Sequence, residues 1–169
     1  MSDIEFQNIV VNYDAKIEDL GIGLCYDLSN LYPYRNSRRK FEFGSKNVLI
    51  CPVDSSLMRH IFTPSMAYMS MEDLGCSPAT ILEGVAFALA HDPKEFRRCV
   101  ISLLGSSKRI HGFINGSYEL PMHYEIVYYL CVKGNEREGY IWYIDRYDSR
   151  SSGFKTEDIK SMALAARRV

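Results

Sequence analysis

Cys25, His123 and Asp145 are of the residue types that thiol chemistry uses, a thiol, an imidazole and a carboxylate, and follow one another in that order along the chain. A second constellation is YPYRNSRRKFEF, where Tyr32, Tyr34, Phe41 and Phe43 flank Arg35, Arg38, Arg39 and Lys40. Guanidinium groups grip phosphate or carboxylate through paired donors, and aromatic faces stack on bases. Tyr34, Arg35, Arg38, Arg39 and Lys40 are therefore the candidate surface for a nucleic acid or an acidic protein, which Lys108 and Arg109 can join. A solvated basic turn between two aromatic-bearing strands would have the same composition.

Other chemistries lack their residues. No CxxC, HExxH or Cys/His cluster occurs, and His60, His91, His111 and His123 are dispersed, so neither a metal nor a cofactor is expected. The five cysteines, Cys25, Cys51, Cys76, Cys99 and Cys131, are odd in number and mostly lie in apolar runs, the pattern of reduced core thiols. The glycines of LLGSSKRIHGFINGSYE match no phosphate-loop spacing, and no small-molecule substrate is indicated. Met66, Met69 and Met71 would suit an adaptable binding face, although such spacing also fills gaps in a core.

Composition sets the frame for these residues. A chain of 169 residues, 47% hydrophobic with 12 Tyr and 8 Phe, has the makings of one domain over residues 1–169 with a sheet in it, and disordered or low-complexity classes are excluded. The formal charge of -1 gives the whole molecule no attraction to nucleic acid or membrane, so any such contact must be local. The segment MSDIEFQNIVV carries acids where a secretory leader would carry cations, and no apolar run nears the roughly 18 residues of a membrane span. A cytoplasmic protein without membrane contact is expected.

The elements predicted to position the candidates make an α+β fold: a small mixed or antiparallel sheet covered by helices at about 78–91, 93–104 and 156–168. Ile4 to Val11 and Val48 to Cys51 have the β-branched density of strands, and Ile110 to Ile114 can add another. Cys25 to Lys46 reads as exposed and partly irregular, and Asp54 can cap a short helix from Ser55 to Ile61. Ser77 followed by Pro78 reads as the cap and first residue of the first long helix, and Asp92 with Pro93 and Glu95 opens the second, which Gly105 stops. Arg97 or Arg98 would pair with Glu95 or Asp92 on that helix. Thr156 caps the last helix, after a hinge at Ser149 to Lys155. HYEIVYYLCVK and YIWYIDRY flank the turn GNEREG and form a hairpin over about 123–147, apolar on both faces and so central in the sheet.

The hairpin bears on the thiol reading. If Lys133 pairs with Tyr140, then Tyr128 is the partner of Asp145, which leaves His123 and Asp145 roughly 17 Å apart along the sheet. The segment GIGLCYDLSNLY nevertheless resembles the nucleophile segment of transglutaminase-like proteins and arylamine acetyltransferases, over about ten residues. That resemblance implies a Cys-His-Asp hydrolase or acyltransferase of Cys25, His123 and Asp145. Those families start a long central helix at the cysteine, whereas Pro33 ends any helix begun at Cys25 within about two turns.

The longer runs CYDLSNLYPYRNSRRKFEFG, MAYMSMEDLGCSPATILEGVAFALAHDPKEFRRCV and GYIWYIDR give the chain an overall similarity to the Alc family, the host-transcription shut-off proteins of T-even bacteriophages. The resemblance implies a non-enzymatic phage early protein that makes host RNA polymerase terminate prematurely on cytosine-containing DNA. Its partners would be the polymerase and also the DNA. Inhibition of another host enzyme is the remaining alternative.

Overall fold

Along QNIVVN, burial alternates residue by residue: Ile9 and Val11 are buried while Asn8, Val10 and Asn12 are exposed, the period of a strand with one face on a core. The computed structural model to which these elements belong describes residues 5–16, 19–24, 43–54, 69, 71–112, 122–148 and 159–168. For residues 107–112, 122–125, 147–148 and 168 it describes the backbone alone. The strands are β1 (Gln7–Asn12), β2 (Gly23–Leu24), β3 (Ser45–Asp54), β4 (Ser77–Pro78), β5 (Cys99–Gly112), β6 (Met122–Asn135), β7 (Gly139–Asp148) and β8 (Lys160–Arg168). One α-helix, α1 (Ile81–Leu89), and a 3-10 turn at Pro93–Phe96 lie between β4 and β5. The strands form a single sheet in the order β1-β3-β8-β5-β6-β7-β2, with β4 also paired to β8.

The fold is thus mostly β, one curled sheet with one substantial helix among the described residues, and the expectation of an α+β fold covered by three helices is overturned. The helix expected at 156–168 is the central strand β8, antiparallel to β3 and parallel to β5. Its sequence KSMALAARR is rich in helix formers, but Ala163, Leu164, Ala165 and Ala166 are each buried. Burial on both faces outweighs propensity differences of at most about 0.7 kcal/mol per residue. Likewise the helix expected at 93–104 stops after one 3-10 turn, capped by Asp92 through the Lys94 N–H at 2.9 Å, and Cys99 begins β5. Short apolar runs such as CVISLL do not reveal their period, and here the β-branched residues follow a strand. Arg97 faces Glu136 at 4.0 Å.

The helix expected at about 78–91 exists as Ile81–Leu89, but Thr80 is its cap and Ser77–Pro78 is strand β4. Thr80 and Glu83 form a capping box, a spacing that explains the start better than Ser77 does. Gly105, expected to stop a helix, sits instead in a bulge of β5. Between Leu103, opposite Tyr128, and Lys108, opposite Ile126, β5 advances five residues while β6 advances two. The extra residues dock the helix start: the Gly105 N–H donates to Ala79 O at 2.9 Å and Ser106 Oγ accepts the Ile81 N–H at 2.9 Å. A Cβ at Gly105 would collide with the carbonyls of Pro78 and Ala79, so the contact requires glycine.

The hairpin lies where expected, as β6 and β7, with its register displaced by one: Lys133 pairs with Ile141. Asn135 Oδ1 accepts the Arg137 and Glu138 N–H groups, and Gly134 and Gly139 take positive φ beside the turn. The sheet is buried on both sides. Ile50, Leu103, Leu130 and Leu164 face α1, while Cys51, Val53, Val127 and Ala165 face Met71 and Cys76. Met71 is therefore core, Met69 is exposed, and Met66 lies outside the described residues. So do the proposed helix at 55–61 and the hinge at 149–155. Among the described residues no helix is long and apolar enough to cross a membrane.

Ala165 distinguishes the buried strand from a surface helix. Ala165→Leu should destabilise the protein by about 1–3 kcal/mol through overpacking, read as a lower urea midpoint; a surface-helix alanine would leave the midpoint unchanged.

Candidate functional site

The residues proposed for chemistry do not converge where the structure describes them. Asp145 on β7 pairs with Tyr129, so its position on β6 is six residues from His123. That separation is roughly 20 Å of strand, beyond the hydrogen-bond contact a triad needs. Asp145 is held otherwise: Lys133 Nζ lies 3.9 Å from its Oδ2, and the Arg146 N–H donates to its Oδ1 at 2.8 Å. His123 is opposite His111 in the β5–β6 ladder. Cys25 lies outside the described residues, as do Tyr34, Arg35, Arg38, Arg39 and Lys40. Lys108 and Arg109 sit on β5 opposite Ile126 and Glu125, within a strand and not beyond a helix end.

Cys51, Cys76, Cys99 and Cys131 are free thiols. Burial raises the pKa of the first three. At Cys51 the neighbouring Cys76 and Glu5 add to the rise, whereas Arg167 beside Cys76 and Lys160 beside Cys99 oppose it. These three thiols are protonated at neutral pH, the opposite of an activated nucleophile. Among the described residues no three His, Cys, Asp or Glu side chains group as metal ligands.

The concave feature of interest lies at the β1 edge of the sheet. An open groove of about 400 Å³ runs between β1 and α1, with Ile9, Val10, Leu20, Leu82, Ala86 and Leu89 in its walls. Of these, Leu89 is 58% exposed on the helix, whereas Val10, 64% exposed, borders the groove at the strand edge with its side chain on the face opposite to Ile9 and Val11. Polar atoms enter through Asn8 and Asn12, and among the described residues no charged side chain lines the groove. The helical wall follows from the spacing of α1. Residues 81, 85 and 88 turn into the core, which leaves Leu82, Ala86 and Leu89 as a second stripe along the groove.

Both ends of that wall are fixed. At its start Glu83, fully buried, accepts the Tyr13 O–H at 2.7 Å and the Thr80 N–H at 2.6 Å, tying the helix to the residue that follows β1. At its end His91 stacks on Phe87 with centroids 4.1 Å apart and donates through Nδ1 to Phe87 O at 2.7 Å. Trp142 Nε1 on β7 donates to His91 O at 3.1 Å. Phe96 closes the cluster edge-on to Phe87 at 5.4 Å. The groove is therefore preformed, the usual condition of a binding site.

Sequence reasoning did not single out Val10, Leu82 or Leu89. The available signals were the six-residue strand QNIVVN without a charge and the apolar residues of α1 in excess of one core face. Compared with protein families, curated proteins and solved structures, the chain finds no match.

Two outcomes are expected. Tyr13→Phe removes one donor from a buried carboxylate and should cost about 1–3 kcal/mol, seen as a lower urea midpoint. Iodoacetamide at neutral pH should label Cys51, Cys76 and Cys99 of the native protein more slowly than a model thiol, by peptide mapping. Labelling of Cys25 faster than the model thiol would restore the thiol-enzyme reading.

Proposed function

We propose that the protein is a non-enzymatic binder of a bacterial host protein, with the groove between β1 and α1 as part of its binding surface. The observation that carries this reading is the exposed groove between the helix and the sheet edge, whose described lining is apolar with two asparagines and carries no charge. Apolar anchors entering such a groove supply most of the energy of protein interfaces, and no turnover is needed.

The resemblance to the host-transcription shut-off proteins of T-even bacteriophages names the partner: host RNA polymerase, engaged in the host cytoplasm to stop transcription elongation. The basic-aromatic residues Tyr34, Arg35, Arg38, Arg39 and Lys40, with Lys108 and Arg109, are proposed as a second contact, toward DNA or an acidic polymerase surface. The separation of His123 from Asp145 along the sheet weighs against the hydrolase or acyltransferase alternative.

Affinity capture of the tagged full chain from a bacterial lysate, with and without nuclease, tests the reading. RNA polymerase subunits should be retained in near-stoichiometric amounts through nuclease treatment, and Leu89→Lys should reduce retention at least tenfold without lowering thermal stability. Arg38→Glu with Arg39→Glu should likewise weaken capture. Retention lost on nuclease treatment would make nucleic acid the primary ligand, a different retained host enzyme would make the protein an inhibitor of that enzyme, and no retention would end the binder reading.

A further inference from the structure

Strand β1 has its only described strand neighbour, β3, on one side. The Tyr13 N–H donates to Gly44 O at 3.0 Å, and this pair continues the β1–β3 register of Val11 with Lys46 and Ile9 with Val48. In an antiparallel ladder alternate residues turn their N–H and C=O toward the neighbour. Gln7, Ile9, Val11 and Tyr13 thus face β3, while Asn8, Val10 and Asn12 turn theirs outward. The Ala15 N–H takes Asn12 O at 3.3 Å, which closes the edge at that end. Among the described residues nothing pairs with the outward groups of Asn8 and Val10, which border the groove.

We infer that this edge takes an extended segment of the partner protein as an additional β-strand, paired to Asn8 and Val10, with every second side chain lodged in the groove against Leu82, Ala86 and Leu89. The inference rests on the protein-binding reading above and specifies its chemistry. Side chains of the added strand opposite Ile9 and Val11 share their face, which is the face covered by α1. Those positions should be apolar, because a charged group there would lose water and meet no counter-charge among the described lining residues. Positions opposite Asn8, Val10 and Asn12 lie on the other face, beside the exposed Val10 side chain. Main-chain pairing then supplies affinity, and the alternate pockets supply selectivity.

The size of the surface favours a segment over a second copy of this chain. Six residues of strand extend about 20 Å, and a strip of that length, one strand edge and one helix wall wide, is small beside the ~800 Å² per partner of a stable dimer. A peptide needs only the groove and the edge.

The probe is a fluorescein-labelled heptapeptide alternating Thr and Val, titrated with the full chain by fluorescence anisotropy. A twin peptide N-methylated at alternate residues loses its donors on one edge without any change to the protein. Val10→Pro removes an outward N–H and leaves the bonds of β1 to β3, because edge strands accept proline at such positions. Saturable binding of the first peptide is expected, at least tenfold weaker for the N-methylated twin and for Val10→Pro. Equal binding of the twin, equal binding by the variant, or no binding of the first peptide would overturn strand addition. Sedimentation showing a wild-type dimer that Val10→Pro dissociates would overturn it in favour of a second copy. If Val10→Pro still captures RNA polymerase as wild type does, strand addition falls while the polymerase reading stands. If the peptide binds with the expected selectivity and no polymerase is captured, the polymerase reading falls and strand addition stands.

Discussion

The relation between α1 and β1 depends on one buried carboxylate. Glu83 is fully buried, and a charge there loses several kcal/mol of hydration unless its oxygens are bonded. Its oxygens meet the Tyr13 hydroxyl and the Thr80 N–H, the first from the end of β1 and the second from the cap of its own helix. The same residue thus caps the start of the helix and ties it to the residue after the edge strand. Losing either donor would remove a hydrogen bond from a buried carboxylate, so the geometry is favoured by what its failure would cost.

A second constraint works from the sheet side. The helix can sit close to the sheet only because β5 swells beneath its start, where Gly105 lets the backbone approach Ala79 and Ser106 answers the Ile81 N–H. Beside the bulge, Ala165 and Ala166 of β8 pair with Pro78 and Ser77, so β4 continues the place of β5 where β5 turns away. Small side chains on β8 leave room on its far face for Met71 and Cys76. The alanines that look like a helix in KSMALAARR are there because two layers cover this strand.

This is where legibility ended. The hairpin, the β-branched strands near the N-terminus and at Val48, and a helix after Pro78 all follow from local signals, since turn residues and periodicity act within a few positions. The identity of β8 and of the first part of β5 was not legible, because it depends on partners far along the chain: Lys160 to Ala163 pair with Cys99 to Ser102, about sixty positions apart. Local propensity favoured helix in β8, and tertiary burial overruled it. The candidate site was less legible still. A row such as Leu82, Ala86 and Leu89 reads as core on a helix thought to be buried on most sides, and only the sheet order reveals that β1 is an edge beside it.

The two flanks of the sheet are treated differently, and the difference argues that the β1 edge has a use. Beyond β7, the short strand β2 pairs with Tyr143 and Ile144, and Gly23 lies so close to the Tyr143 ring that a Cβ there would overlap it. Lys133, Asp145, Arg146 and the turn residues Glu136, Arg137 and Glu138 place charge around that flank. Charges and covering segments are the ordinary means by which proteins keep edge strands from pairing with other chains. Strand β1 has neither a charge nor a proline in QNIVVN, and its sequence combines high β propensity with neutrality, the composition that pairs most readily. Among the described residues only its shortness limits it, with the turn bond from Ala15 to Asn12 closing one end. An edge that no described residue covers is a liability unless something binds it, and it borders a groove whose helical wall is held at both ends.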